Sequence, residues 1–396
     1  MERFDFDTLP GRRNTGSLKW DVAEEELPMW VADMDFAAAP CIRKALQERI
    51  DTQVFGYSIV REEWYDAYRN WWGEHHGLAV EKDWLIFTTG VIPALSTAVR
   101  KFTTPAEKVI IQTPVYNVFF SSVINNGRRV LESPLKYTGD SYEMDLADLE
   151  EKMADPQATM FLLCNPQNPC GKIWSADTLR EIGRLAKKYH VLVFSDEIHC
   201  DLTAPGCKYV PYASVSPECR DNSITAVAPT KAFSIPGLQS AAVIVPEQGT
   251  RQRMDRALNT DEVAEPNAFA VDAAIAAFSG EGWAWLTELR EYIESNKRYV
   301  KDCLAAKAPT VGVTKQDATY LMWLDVSAYT EDSARLAAFI RKETGLFLSA
   351  GKVYGGDGSR FLRLNVACPK TLLEDGTERL CEGLRKYKEK DQREQR

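Results

Sequence analysis

The sequence predicts an α/β protein, with a large, mostly parallel sheet domain followed by a smaller α+β domain. Three observations point there. Short apolar runs alternate with helical patterns between Leu85 and Val245, which is the rhythm of βαβ units. Those runs are continuously apolar, as expected of strands covered on both faces. After about residue 282 long helical patterns dominate, with few strands between them.

Taken in order, the first 47 residues lack the pattern of an independent domain. Within them, Leu27 to Phe36 carries Trp30, Met34 and Phe36 around Asp33 and Asp35. It reads either as an arm packed on a larger body or as the wall of a pocket. Tyr65–Trp72 reads as an aromatic-rich helix. Leu85–Phe87 is a strand, and Thr88–Pro93 leads from it into a helical pattern that reaches Arg100. Val109–Ile111 is the next strand, ended by Thr113-Pro114. A helix over 116–126 and a strand over 128–134 follow. Then come strand Thr159–Leu163, helix Ser175–Tyr189, and strands Val191–Phe194, Ile224–Val227 and Ala241–Val245. Glu281–Ala308 reads as one long amphipathic helix joining the two domains. Beyond it lie strand Tyr320–Leu324, helix Asp332–Lys342, strand Phe361–Asn365 and helix Lys370–Lys388. The large domain is expected over 48–285; residues 1–47, as an N-terminal arm, join 286–396 in the small one. Gly355–Gly358 reads as a flexible loop, not a phosphate loop, because no lysine and helix follow it.

Composition narrows the function. With 396 residues, 45% hydrophobic and 27% charged, the chain is globular with room for two domains. A net charge of −9 argues against a nucleic-acid surface. Met1–Asp7 has no apolar run resembling a signal peptide, and no stretch approaches bilayer-spanning length, so no membrane association is expected. Nine cysteines, an odd number without a close CxxC pair, suggest free thiols in a reducing, cytoplasmic setting. Cys164 and Cys170 read as buried or loop thiols. Only four histidines occur, His75, His76, His190 and His199, so a His-rich metal site is not expected. The basic tail, Lys386–Arg396, reads as a solvated helix end.

The chemistry gathers at strand ends. Lys231 follows the strand Ile224–Val227 and the stop at Pro229, where open α/β sheets place their ligands. Its neighbours Ala232, Phe233, Ile235 and Pro236 solvate an amine poorly. Poor solvation lowers the amine's pKa and frees it to attack a carbonyl. The strand Val191–Phe194 runs into Asp196, a carboxylate that needs a positive partner if buried. A lysine that bonds an aldehyde and an acid that holds a proton on a ring nitrogen are what pyridoxal phosphate requires. A third piece, Asn165-Pro166-Gln167-Asn168-Pro169, fixes the backbone after another strand, where an amide can donate to a phenolate oxygen.

Together, Asn-Pro-x-x-Asn-Pro-x-Gly, Ser-Asp-Glu-Ile-His and Pro-Thr-Lys-x-Phe resemble the fold type I pyridoxal phosphate enzymes of the aminotransferase class I/II family. Val-Ala-Asp-Met-Asp-Phe (31–36), Val-Phe-Gly-Tyr (54–57), Asp-Glu-Ile-His (196–199) and Arg-Leu-Asn-Val-Ala-Cys-Pro (363–369) resemble the cystathionine β-lyase-like C–S lyases within it, over roughly Arg12 to Leu384. The resemblance implies that Lys231 bonds the cofactor and moves the Cα proton, and that Asp196 keeps the pyridine nitrogen protonated. Asn168 would donate to the phenolic oxygen and help bind substrate. His199 stands where many relatives carry a Tyr near that oxygen, and Tyr116 would stack on the ring. Gly90, Val91 and Ile92, at a helix start, would cradle the phosphate with backbone N–H groups, with Thr230 adding a hydroxyl. Tyr57 would reach the phosphate in a partner subunit, implying a homodimer. Arg363 would clamp the substrate carboxylate. Two positions depart from many aminotransferases: Gln239 replaces an Arg and Ala228 a Ser. Both departures favour a lyase over a typical transaminase, and the resemblance implies cystathionine or related cysteine S-conjugates as its substrates, cleaved to thiol, pyruvate and ammonia. An aminotransferase of an L-amino acid and a regulatory binding protein on the same fold are the alternatives.

Overall fold

The computed structural model describes residues 4–394. The expectations for Met1–Arg3 and for the last two residues of the basic tail lie outside the described residues. Seven strands form the main sheet: β1 (Leu85–Thr88), β2 (Lys108–Ile111), β3 (Arg129–Glu132), β4 (Ala158–Cys164), β5 (Leu192–Asp196), β6 (Ser223–Val227) and β7 (Ala241–Ile244). Their spatial order is β1-β7-β6-β5-β4-β2-β3. Only β7 runs against its neighbours; the remaining pairs are parallel. Six strands therefore share one carboxyl edge.

The apolar runs are continuous because both faces are covered. In β4, Met160, Leu162 and Cys164 enter one core with Ala94, Leu95 and Ala98 of helix α1 (Val91–Phe102). The alternate residues Phe161 and Leu163 enter another with Leu179, Ile182 and Ala186 of α2 (Ala176–Tyr189). Ser175 caps α2, accepting from the Thr178 N–H at 3.1 Å. The helix expected over 116–126 is shorter, Val118–Ile124. Pro114 precedes it, and the Val115 N–H donates to the Tyr354 carbonyl at 2.9 Å, so Tyr116 is held in a turn.

A second, antiparallel sheet contains β8 (Leu321–Asp325) and β9 (Phe361–Asn365), flanked by the short strands Gly312–Val313 and Ser349–Ala350. Helix α3 (Gly280–Lys307) serves both cores. Its Trp285, Leu286, Leu289 and Ile293 pack with Phe233 and Phe278, whereas Val300 and Leu304 pack with Met322, Leu324 and Leu364. The entry to α3 is tight: a Cβ on Gly282 would lie 2.0 Å from the Ala277 carbonyl oxygen.

The N-terminal arm is tied down twice. Leu27–Pro28 pairs in parallel with Leu346–Phe347. A buried charge cluster follows: the fully buried Asp35 accepts from Arg12, Lys19 and Trp20, each at 2.7 Å. Arg12 also bonds Asp33 at 2.7 Å. A buried carboxylate with three N–H donors, two of them cationic, is satisfied.

Gly355–Gly358 corrects the expectation of a flexible loop. Gly355 joins two short 3₁₀ turns, Gly351–Tyr354 and Gly356–Arg360, and the other three residues lie within the second. Gly355 has φ +73°, and a Cβ there would come 2.7 Å from Phe120. Asp357 accepts from the Tyr142 hydroxyl at 3.0 Å. These glycines permit close approach rather than motion.

Candidate active site

The carboxyl edge of the main sheet collects the sequence-marked residues. Register sets Cys164, Asp196 and Ala226 side by side at the ends of β4, β5 and β6. β4 continues into the Asn165–Pro169 turn, which brings Asn168 over the edge; its N–H donates to Cys164 Sγ at 3.4 Å. β6 continues through Ala228-Pro229-Thr230 to Lys231. β1 continues to Gly90, which starts α1. β2 leads to Tyr116.

Two cavities meet at Ala32, Tyr116 and Lys231. The inner one, about 270 Å³, is bounded by Gly90, Val91, Ile92, Asn168, Asp196, His199 and Thr230. The outer one, about 630 Å³, reaches Arg363 and the face of α4 (Ser333–Thr344). The segment 27–36 turns out to be both arm and wall, since Trp30, Val31 and Ala32 line the outer cavity. Tyr57 lines neither; it is fully exposed. Of the two departures, Gln239 lines the inner cavity, whereas Ala228 is packed in the core beside α1.

Burial sets the charges. Lys231 Nζ donates to the Ala32 carbonyl at 2.7 Å. Desolvation, reinforced by the nearby Arg363 charge, pushes its amine down to about 8. Desolvation pushes the Asp196 carboxyl up to about 6, against an opposing N–H bond from Ile198 at 3.1 Å. His199 is pushed down to about 3 by burial, helped by Lys231 and Arg363, so its ring is neutral; its Nδ1 is buried without a partner. Burial also raises the Tyr116 phenol.

Arg363 comes from β9 and is itself buried. Its Nη1 donates to Asn168 Oδ1 at 3.1 Å and its Nη2 to the Trp30 carbonyl at 3.0 Å. Its guanidinium lies 4.8 Å from the centre of the Tyr354 ring, and its Nε is buried without a partner. With Asn168 Oδ1 occupied by Arg363, the Asn168 amide N–H group is the end left to donate elsewhere.

Several contributors were not marked in the sequence. The Tyr320 hydroxyl donates to the same Ala32 carbonyl at 2.9 Å. Asn365 Nδ2 donates to the Val31 and Asp33 carbonyls at 2.6 and 2.7 Å, fixing the wall from β9. Glu197, pushed up to about 8 by burial, accepts from Ser195 Oγ at 2.7 Å, from the Tyr212 N–H at 2.9 Å and from the Tyr209 hydroxyl. It braces the loop that carries His199. A buried tyrosine hydroxyl needs a partner, which is the signal that could have marked Tyr320.

Pyridoxal phosphate presents a phosphate, an aldehyde, a phenolic oxygen and a ring nitrogen, and the inner cavity answers each. The first N–H groups of α1, at Val91 and Ile92, have no intrahelical acceptor and suit a phosphate. Lys231 supplies a readily deprotonated amine. Asn168 and His199 offer a donor and an unpartnered ring nitrogen. Asp196 is a buried acid in need of a positive partner. The residues present fit the group.

Comparison with known proteins agrees. The profile of the family described as aminotransferase class I and II matches residues 27–380. Cystathionine beta-lyase PatB of Bacillus subtilis (strain 168) is 42% identical over 382 residues, covering 95% of this chain and 98% of that protein. Protein MalY of Escherichia coli (strain K12) is 33% identical, covering 96% and 99%. Among solved structures, cystalysin from Treponema denticola, which contains pyridoxal 5'-phosphate, superposes with a TM-score of 0.93 at 32% identity, covering 97% of this chain and 100% of that one.

Proposed function

This chain belongs to the aminotransferase class I and II family, and we propose that within it the protein is a pyridoxal phosphate-dependent carbon–sulfur β-lyase. It cleaves cystathionine or related cysteine S-conjugates to a thiol, pyruvate and ammonia. The observation that carries this is the position of Lys231, at the junction of two cavities, with Asp196 in the inner wall and Arg363 in the outer. Relatives named as cystathionine beta-lyases support the choice of reaction.

When bound, pyridoxal phosphate supplies an aldehyde for the substrate amine and a ring that takes up the electron pair left at Cα. The chain does the rest. Val91 and Ile92 N–H groups and Thr230 hold the phosphate end, and Tyr116 covers the ring. Asp196 keeps a proton on the ring nitrogen, and its cost of burial falls when that positive partner is present. Asn168 donates to the phenolic oxygen, with neutral His199 beside it. Arg363 takes the substrate α-carboxylate, the planar task its buried guanidinium suits. Lys231, with its lowered pKa, is the base that removes the proton from Cα. The arm lines the opening, and the buried Tyr320 holds its Ala32 carbonyl in place.

In this proposal the protein works as a homodimer in the cytoplasm. Tyr57 stands among exposed Val54, Phe55 and Ile59, apart from the chain's own cavities, and reaches the phosphate end of a second copy's site. Nine free cysteines agree with a reducing setting. Among the described residues no helix is long and apolar enough to cross a membrane. Sedimentation at micromolar concentration gives a dimer; a monomer with full activity overturns the role of Tyr57.

The test of the function is to incubate the cofactor-loaded protein with cystathionine and several cysteine S-conjugates and to assay thiol, pyruvate and ammonia. Absence of all three overturns the lyase assignment. Keto-acid-dependent exchange of amino groups without thiol release would select an aminotransferase instead.

A further inference from the structure

The outer cavity is larger than the α-carboxylate site needs. It extends from Lys231 and Arg363 past Trp30 and Phe347 to Ala338 on α4 and to Leu18 and Val353 at its mouth. Trp30 stacks on Phe347 with ring centres 4.7 Å apart. Leu18 and Val353 are large apolar side chains left exposed at the rim, at 77% and 53%. Apolar groups kept in water around a cavity mouth are informative where they join an apolar wall.

The charges of the cavity point the same way. Among the described residues its lining contains no carboxylate. Apart from Lys231 and Arg363 its one cation is Arg341, and that guanidinium is already held. Its Nε and Nη2 bond the two Glu26 carboxylate oxygens at 2.5 and 2.8 Å, and it lies 3.7 Å from the centre of the Phe347 ring. A substituent ending in both an ammonium and a carboxylate would find no counter-charge for the first, and for the second only Arg341, whose charge Glu26 already balances. Neither charge would gain a free ionic partner from the lining, whereas an apolar substituent gains burial against it.

Resting on the lyase function above, we propose that this cavity receives the sulfur substituent of the substrate and selects neutral, apolar substituents of about benzyl size over zwitterionic ones such as the distal arm of cystathionine. Cα and Cβ sit beside Lys231, the α-carboxylate lies on Arg363, and the substituent runs outward between Trp30, Phe347 and α4. Affinity in the cavity comes from apolar area removed from water.

The experiment compares kcat/KM for S-benzyl-L-cysteine and L-cystathionine on the cofactor-loaded protein, following thiol and pyruvate. The benzyl conjugate is expected to be better by roughly tenfold or more, the discrimination that a few buried carbon atoms provide. Equal values, or a preference for cystathionine, overturn the selectivity while leaving the lyase function standing. Turnover of neither conjugate removes both. Leu18→Glu and Ala338→Glu, at exposed positions on the cavity wall, place a carboxylate where an ammonium would pass. At least one of them should shift the ratio toward cystathionine by about tenfold. If both fold and neither moves the ratio, the substituent lies elsewhere and the proposal fails.

Discussion

In the cofactor-free protein, the rate at which Lys231 condenses with an aldehyde should rise with pH, with a midpoint near pH 8 and a plateau about one unit higher, because its amine is pushed down to about 8 from an ordinary 10.5. Loss of hydration is the larger cause and the Arg363 charge the second, while Asp33 and Asp196 oppose them. At pH 7.5 about one amine in four would be neutral, against about one in a thousand for a free lysine, a gain on the order of a hundredfold in reactive species. The assay is a pH series of pyridoxal phosphate addition, trapped with borohydride and read by mass spectrometry of the peptide containing residue 231. Arg363→Gln removes the second cause and should move the midpoint upward. The same shift has a thermodynamic sign. The unfolded chain keeps this proton to about pH 10.5, so it binds more protons than the folded one above pH 8. This group therefore makes the cofactor-free fold more stable as pH rises from 8 toward 10.5. A midpoint above pH 10, or a label on another lysine, refutes the reasoning.

Asp196→Asn keeps the shape and removes the charge, so the protein should fold while turnover falls roughly a hundredfold or more; unchanged turnover would end its role. Arg363→Ala should raise the KM for α-carboxylate substrates roughly 10- to 150-fold, the equivalent of about 1.5–3 kcal/mol for one charge-assisted hydrogen bond. An unchanged KM would mean that the carboxylate binds elsewhere. Asp35→Ala leaves the Trp20 N–H without its acceptor and the buried Lys19 ammonium with only Asp33, at 3.1 Å to its carbonyl and 3.5 Å to its carboxylate, and should cost about 2–4 kcal/mol of stability, read from urea unfolding. A loss under 1 kcal/mol would show that the cluster's charges are satisfied without Asp35.

The parts of the site that could be read in the sequence lie at strand ends. Lys231, Asp196 and Asn168 each follow a continuous apolar run, and covered parallel strands must deliver their next residues to one edge. Arg363 was different. It sits mid-strand in Phe-Leu-Arg-Leu-Asn, and only the resemblance singled it out. The carbonyl that holds it belongs to Trp30, 333 positions away in sequence, and its ring neighbour to Tyr354. No local pattern encodes such a meeting. Gly355 and Gly356 misled for a related reason: a glycine that allows motion and one that allows Phe120 and Thr113 to approach look alike in one dimension. Helices Pro40–Asp51 and Gln248–Thr260 went unmarked because they bury little, Ile42 in the first and Met254, Ala257 and Leu258 in the second, so the apolar period is faint. His199 was legible as a neighbour of Asp196. Its unpartnered nitrogen was not, since that depends on what the folded loop withholds from it.

The oxygen that receives the resting amine at position 231 belongs to the main chain of residue 32. No exchange of side chain at residue 32 deletes that acceptor; only displacement of the whole strap does. Displacing it would remove two oxygens that serve three side chains: the residue-32 carbonyl shared by the lysine and the tyrosine at 320, and the Trp30 carbonyl that steadies the arginine. Damage to this stretch should therefore register as a single cooperative loss rather than as graded impairment of its separate contacts.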